Sequence, residues 1–282
     1  MSPGPRRVGI VTDSTADIPT ELLKDLKIES IPAILTIDGQ TFVDGVNLSR
    51  IEFYRRMPSL SRPPTTASPS PAAFQEAYER LLSDGVDNIL SIHLSSKLSG
   101  MVNSAYQAAQ EFGKRVTVFD SQQVSLGLGY QVIEGAHAAL KGLNFTNVLE
   151  HVQRVQAKVR LLALINSLEY LRRGGRVSWL QAGMGELLRI KQILTLKNGS
   201  VVSFGRARTF SRSLETLRRE ARAWSPLSQL TVMHSGIREK AELLAGELAG
   251  ICSTQPMIVN VTTVIGAHVG PGSIGIAGLP AI

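Results

Sequence analysis

A single cysteine, Cys252, in 282 residues excludes an intramolecular disulfide and any cysteine-rich metal site. That scarcity fits a reducing, cytoplasmic setting. Long apolar runs are also missing: no stretch is long enough to span a bilayer, and the opening MSPGPRRVGI lacks the continuous apolar core of a secretion signal. Membrane contact is therefore expected to be peripheral or absent. Aromatic residues make up only 5%, which leaves few platforms for stacking bases. The net charge of +7 raises the question of nucleic acid, but the cations are interspersed with acids over much of the chain. Their densest clusters are Arg172, Arg173 and Arg176, then Arg206, Arg208, Arg212, Arg218 and Arg219. These read as solvated faces or, more sharply, as a surface for an acidic protein or a phosphate, and nucleic acid is not an expected partner.

Several catalytic signatures are absent as well. There is no G-x-x-x-x-G-K-[ST] and no G-x-G-x-x-G after the first strand, which disfavours a P-loop and a dinucleotide site. No G-x-S-x-G elbow occurs, and no sequence element places one of the five histidines beside Ser99. Neither paired histidines nor clustered carboxylates stand at ligand spacing, so neither a metal nor a cofactor is expected.

What is present is a hydroxyl-rich corner. Asn88–His93 reads as a strand, and it ends in Ser95, Ser96 and Ser99. From Gly100, Val102, Ala105, Tyr106 and Ala109 recur at helical spacing. A strand running through such a loop into a helix leaves backbone N–H groups and hydroxyls for a phosphate or carboxylate. The same residues also fit an ordinary helix start with Ser99 as N-cap.

The strand–loop–helix rhythm begins at Val8–Thr12 and the helix of Leu22, Leu23 and Leu26, which opens an α/β domain. Asp38-Gly39 and Asn198-Gly199 mark hairpins, and Ser49 with Glu52 forms a capping box. RPPTTASPSP (62–71) cannot be a helix interior or a central strand; it reads as a surface loop, from which Thr65, Thr66 and Ser68 can present hydroxyls. A patterned helix with Phe74, Ala77 and Tyr78 follows. Arg115–Phe119 and Leu161–Ile165 read as further strands, Thr209–Ala223 and Arg238–Leu248 as helices, and Ile258–Val264 as a strand. His268 falls in a glycine-rich turn. The fold class expected is two α/β domains: a parallel sheet flanked by helices over 1–160, and a smaller α/β domain over 161–282.

In this setting the chain resembles the DegV family, bacterial fatty-acid-binding proteins that act as the acyl-carrying component of fatty acid kinase. The likeness runs in order through TDSTADIP (Thr12–Pro19), TASPS (Thr66–Ser70), SSKLSG (Ser95–Gly100), FDSQQVSLGLGYQ (Phe119–Gln131), LEYLRRGGRVS (Leu168–Ser178), KQILTLKNG (Lys191–Gly199), RART (Arg206–Thr209) and AHVGPGSIG (Ala267–Gly275). The resemblance implies a DegV-like fold and a long-chain fatty acid as ligand. Its carboxylate is implied to be held by Thr66 and Ser99, with Ser96 and Gly100 of the same loop contributing. Arg176 and Arg208 are implied to lie near the head group or face the partner, with His268 close by. The partner implied is an ATP-dependent fatty acid kinase making acyl phosphate for phospholipid synthesis, and the chain alone is expected to have no activity. The alternative is a free-standing enzyme acting on a phosphate or acyl ester at the same corner. The sequence departs from the family at Ala67 and Ser68, where Ser-Gln is frequent, and at Met101, where threonine is frequent.

Overall fold

The computed structural model describes residues 7–175 and 190–282. In chain order the first elements are β1 (Val8–Asp13), α1 (Thr20–Asp25), β2 (Ile28–Ile31), β3 (Ile34–Ile37), β4 (Gln40–Val43), α2 (Arg50–Arg56), β5 (Thr65–Ala67), α3 (Pro71–Ser83), β6 (Asn88–His93), α4 (Met101–Ala109), β7 (Val116–Asp120), α5 (Leu126–Leu140) and α6 (Phe145–Lys158). They are followed by β8 (Arg160–Ile165), α7 (Glu169–Arg173), β9 (Lys191–Lys197), β10 (Ser200–Ala207), α8 (Phe210–Ala223), β11 (Leu227–His234), α9 (Arg238–Leu248), β12 (Met257–Asn260), α10 (Thr263–Val269) and β13 (Ile274–Pro280).

The chain divides into two compact units, one made of residues 1–33 and 68–158, the other of 34–67 and 159–282. The division near 160 coincides with the change in sequence rhythm. Residues 34–67, however, belong with the second unit, which is therefore the larger. Their departure at Ile31-Pro32-Ala33-Ile34 has no linker composition, so nothing in the sequence flags it. Their return falls between Ala67 and Ser68, inside the proline-rich stretch.

The first unit is built on a parallel sheet of order β2-β1-β6-β7. Both faces are covered, so Ile10, Val11, Ile89, Leu90 and Ile92 are all buried, as a sheet of this kind demands. Helix α6 buries Val148, Val152 and Val155 along one stripe. Helix α5 packs so closely that a Cβ at Gly129 would stand 2.6 Å from the Ala16 carbonyl oxygen. Strand β1 leads through α1 to β2 on one side, whereas β6 leads through α4 to β7 on the other. The carboxyl ends of β1 and β6 therefore flank the switch point where α/β sheets hold ligands.

The second unit has a six-stranded sheet of order β10-β9-β8-β13-β11-β12, with only β11 and β12 parallel. Leu164, Ile193, Leu217, Val232, Leu244 and Ile276 form part of its aliphatic core. It also contains the small sheet β4-β3-β5. The β3–β4 turn has positive φ at Asp38 (48°) and Gly39 (83°), the backbone that Asp-Gly favours. Thr65–Ala67 adds an edge strand just after Pro64, consistent with its exclusion from a sheet centre.

One expectation fails locally. The strand read over 258–264 stops at Asn260, and the chain turns into α10, so His268 lies on a helix rather than in a glycine-rich turn. The cause is Asp44, whose Oδ1 accepts the Thr263 N–H (3.2 Å) and hydroxyl (2.6 Å) and so supplies the first turn from a distant part of the chain.

Candidate functional site

In the first unit the corner after β6 is fixed by polar contacts. Leu94 N–H donates to Asp13 Oδ2 (3.2 Å), and Ser95 N–H donates to the Gln123 carbonyl (3.0 Å). Ser96 donates its hydroxyl to Asp120 Oδ2 at 2.5 Å, and its N–H also points at that carboxylate. Ser96 thus pins the loop to the end of β7, and its proton is not directed at a ligand. Ser99 N–H donates to the Ser95 carbonyl.

Ser99 does not cap α4. The N-cap position is Gly100, with no side-chain cap, and the Ser99 hydroxyl lies 3.0 Å from the Ser68 hydroxyl. Both serines are half-buried. Gly100 closes the corner, and a Cβ there would touch Ser68 Oγ at 3.6 Å. The result is a hydroxyl pair beside a helix start whose first N–H groups have no intrahelical acceptor, which together can solvate an anion. Ser68, read from sequence only as one hydroxyl among several in a loop, is the partner that spacing could not reveal.

In the second unit Thr66 Oγ1 lies 2.9 Å from His268 Nε2. Thr66 is set by β5, where it stands opposite Leu35, and His268 by α10. Asp44 and the Tyr54 hydroxyl, which donates to the Val261 carbonyl at 3.1 Å, fasten the start of that helix. On the other side of the imidazole, Gly174 packs so tightly that a Cβ would come within 2.9 Å of Nδ1. Gly270 ends α10 at φ 71° and leaves room for the Tyr170 ring, whose phenol burial pushes up from its ordinary value. With Nε2–H donating to Thr66, the threonine hydroxyl is free to donate onward to an anion; with the reverse arrangement, the imidazole is a base for the hydroxyl.

Arg208 is exposed in the bend between β10 and α8, and Arg176 lies outside the described residues. Among the described residues no cluster of three metal-ligating side chains occurs, and no helix is long and apolar enough to cross a membrane.

The fold has close counterparts. The family model described as "Uncharacterised protein, DegV family" matches residues 7–281. A DegV domain-containing protein of Deinococcus radiodurans is 34% identical over 280 residues, covering 96% of this chain and 97% of the relative. The chain belongs to the DegV family. Its two-unit α/β architecture superposes on a solved DegV protein of Thermus thermophilus with a TM-score of 0.89 at 33% identity, over 98% of this chain and all of the other. DegV of Bacillus subtilis gives 0.86 at 30% identity, with the same coverage. The first of these is described as "Fatty Acid Binding of a DegV family Protein", the second as "DegV, a fatty acid binding protein". Within the DegV fold of this chain, TASPS carries Thr66 and Ser68, SSKLSG carries Ser99 and Gly100, and AHVGPGSIG carries His268, so three of its sequence motifs supply the two hydroxyl groupings.

Proposed function

We propose that this protein is a fatty-acid-binding carrier that takes a long-chain fatty acid and holds its carboxylate with Thr66, Ser99 and Gly100, with His268 behind Thr66. The observation that carries this reading is the Ser99 hydroxyl, which is diverted from capping α4 and pairs with Ser68. Thr66 and Ser68 stand two residues apart in TASPS, so one sequence motif carries a hydroxyl of each grouping. A carboxylate accepting several O–H and N–H donors is well solvated without a salt bridge. Each buried methylene of the tail adds about 0.8 kcal/mol, so tail burial supplies affinity while the hydroxyls supply orientation. The carrier then presents the carboxylate to an ATP-dependent kinase for conversion to acyl phosphate. Arg176 and Arg208 meet that partner or the phosphate charge, and the net charge of +7 favours an acidic partner. The chain works in the cytoplasm and needs no cofactor.

Native mass spectrometry of freshly purified protein, followed by lipid extraction, tests the binding. A co-purified fatty acid, lost in a Thr66→Ala, Ser99→Ala double variant, is the expected outcome. A protein that is empty and refuses added fatty acid overturns the reading.

The Thr66–His268 contact favours one second reading, a free-standing enzyme acting on a phosphate or acyl ester, because a hydroxyl beside an imidazole is the core of a nucleophile–base pair. Incubation with ATP and fatty acid, with and without the kinase, separates the two. Acyl phosphate formed without the kinase would establish the enzyme.

A further inference from the structure

Behind the corner of the first unit lies a buried polar chain that the carrier reading does not use. His93 Nδ1 is 3.0 Å from Asp13 Oδ2, His93 Nε2 is 2.6 Å from Ser91 Oγ, and Ser91 Oγ is 2.8 Å from the Tyr78 hydroxyl. All four residues are fully buried. Sheet register brings them together: Val11 stands opposite Ser91, so two residues on, Asp13 and His93 share one face at the carboxyl ends of β1 and β6. Tyr78 reaches the same face from α3, and the Phe74 ring closes it edge-on to the imidazole at 5.2 Å.

The spacing is that of a serine–histidine–aspartate nucleophile set, but with no exposure at Ser91 no substrate reaches it. The arrangement holds structure instead of attacking. One proton order satisfies every member. Tyr78 donates to Ser91, Ser91 donates to Nε2 of a neutral imidazole, and Nδ1–H donates to Asp13. Burial pushes the Tyr78 phenol up to about 12, which keeps its proton in place. Asp13 completes its acceptor shell with the Thr15 N–H (3.0 Å), the Thr15 hydroxyl and the Leu94 N–H (3.2 Å).

The two ends of this relay lead to the two serines of the corner. Leu94 is the root of the loop that ends at Ser99. Tyr78 lies on α3, whose N-terminus follows Ser68 by three residues. We propose that Asp13 and His93 are positioning residues for the Ser68–Ser99 pair, setting carboxylate affinity without touching the ligand. This rests on the fatty-acid-binding reading for its ligand, but not for its geometry.

The test uses the full chain, stripped of lipid, as wild type, Asp13→Asn and Tyr78→Phe. Oleate and oleyl alcohol are titrated in parallel, because they share a tail and differ in the head group, and amide hydrogen exchange is followed over residues 94–100. Asp13→Asn is expected to weaken oleate at least tenfold while oleyl alcohol changes less than twofold, and to speed exchange over 94–100 at least tenfold. Tyr78→Phe, which removes only the far hydroxyl, is expected to give the same pattern at a few-fold, and it decides the matter if Asp13→Asn fails to fold. Equal losses for both ligands would mean general damage and would overturn the proposal. So would unchanged exchange over 94–100 in the folded variants. If the wild type binds neither ligand, the carrier reading falls, and the exchange data alone decide whether the relay positions the loop.

Discussion

The two units arrange their buried polar groups differently, one in a connected chain and the other in separate bonds. In the first, the Asp13 carboxylate collects four donors and hands its order through an imidazole and a serine to a tyrosine. In the second, the core is aliphatic. Among the described residues both units bury unpartnered side-chain atoms, Thr12 Oγ1 and Gln131 Oε1 in the first, Asp44 Oδ2 and His234 Nδ1 in the second. The first unit fixes its loop by a connected set of directional bonds; the second fixes α10 by separate bonds from Asp44 and Tyr54 and by close packing around the His268 ring. A hydroxyl pair and a threonine–imidazole pair thus rest on different kinds of support and should fail in different ways.

The largest expected difference comes from removing packing in the second unit. Leu217 on α8 is completely buried, and Leu217→Ala should destabilise this unit by about 3 kcal/mol through lost transfer energy and a residual cavity. Hydrogen exchange in β8 and β13 would register it, and protection equal to wild type in those strands would show that packing there is looser than described.

Acid should come next. Burial first, with the Arg238 guanidinium second, pushes the His234 imidazole down to about 4 from 6.5. Between those values the unfolded chain takes up a proton that the folded chain refuses, so stability is full above about 6.5 and falls as pH drops towards 4. The loss amounts to roughly 2–3 kcal/mol across that window, read from urea midpoints at several pH values. His234→Gln should flatten the curve, and an equally steep curve in that variant would assign the slope to other groups.

The smallest effect sharpens the comparison at the site itself. Gly174→Ala sets a methyl group against His268 Nδ1 and the Tyr170 carbonyl oxygen. It should cost about 1–2 kcal/mol through overpacking and weaken fatty-acid binding several-fold by moving the imidazole off Thr66. Titration with oleate is the check. An unchanged affinity would show that His268 tolerates displacement.

Much of this fold was legible in local signals. Asn88–His93 is a strand to the residue, Asp38-Gly39 and Asn198-Gly199 turn the chain as their chemistry requires, and Ser49 accepts the Glu52 N–H at the start of α2. Long-range partnerships were not legible, because nothing local encodes them. The Asp44 contact that bends 258–264 into α10 spans more than two hundred residues. The assignment of 34–67 to the second unit depends on α2, β3 and β5 packing against α10, far along the chain. At the site, the motifs pointed to Thr66, Ser99 and His268, and the structure pairs Thr66 with His268. It also brings out Ser68, which had looked like a departure from the family pattern and is instead the hydroxyl facing Ser99. Ser96 looked equivalent to Ser99 by composition, and only the position of Asp120 separates them.

The order of strands in the second unit has a consequence for how the protein is made. β13, the last strand in the chain, sits between β8 and β11, in the interior of its sheet. Until a ribosome has produced residues 274–280, β8–β9–β10 and β11–β12 are two fragments, each with an open apolar edge waiting for the same absent neighbour. The first unit, whose elements are complete by Lys158, has no such wait. Newborn chains should therefore depend on chaperones chiefly during synthesis of the second half, and messages that end before Ile274 should yield aggregates in preference to a shortened carrier.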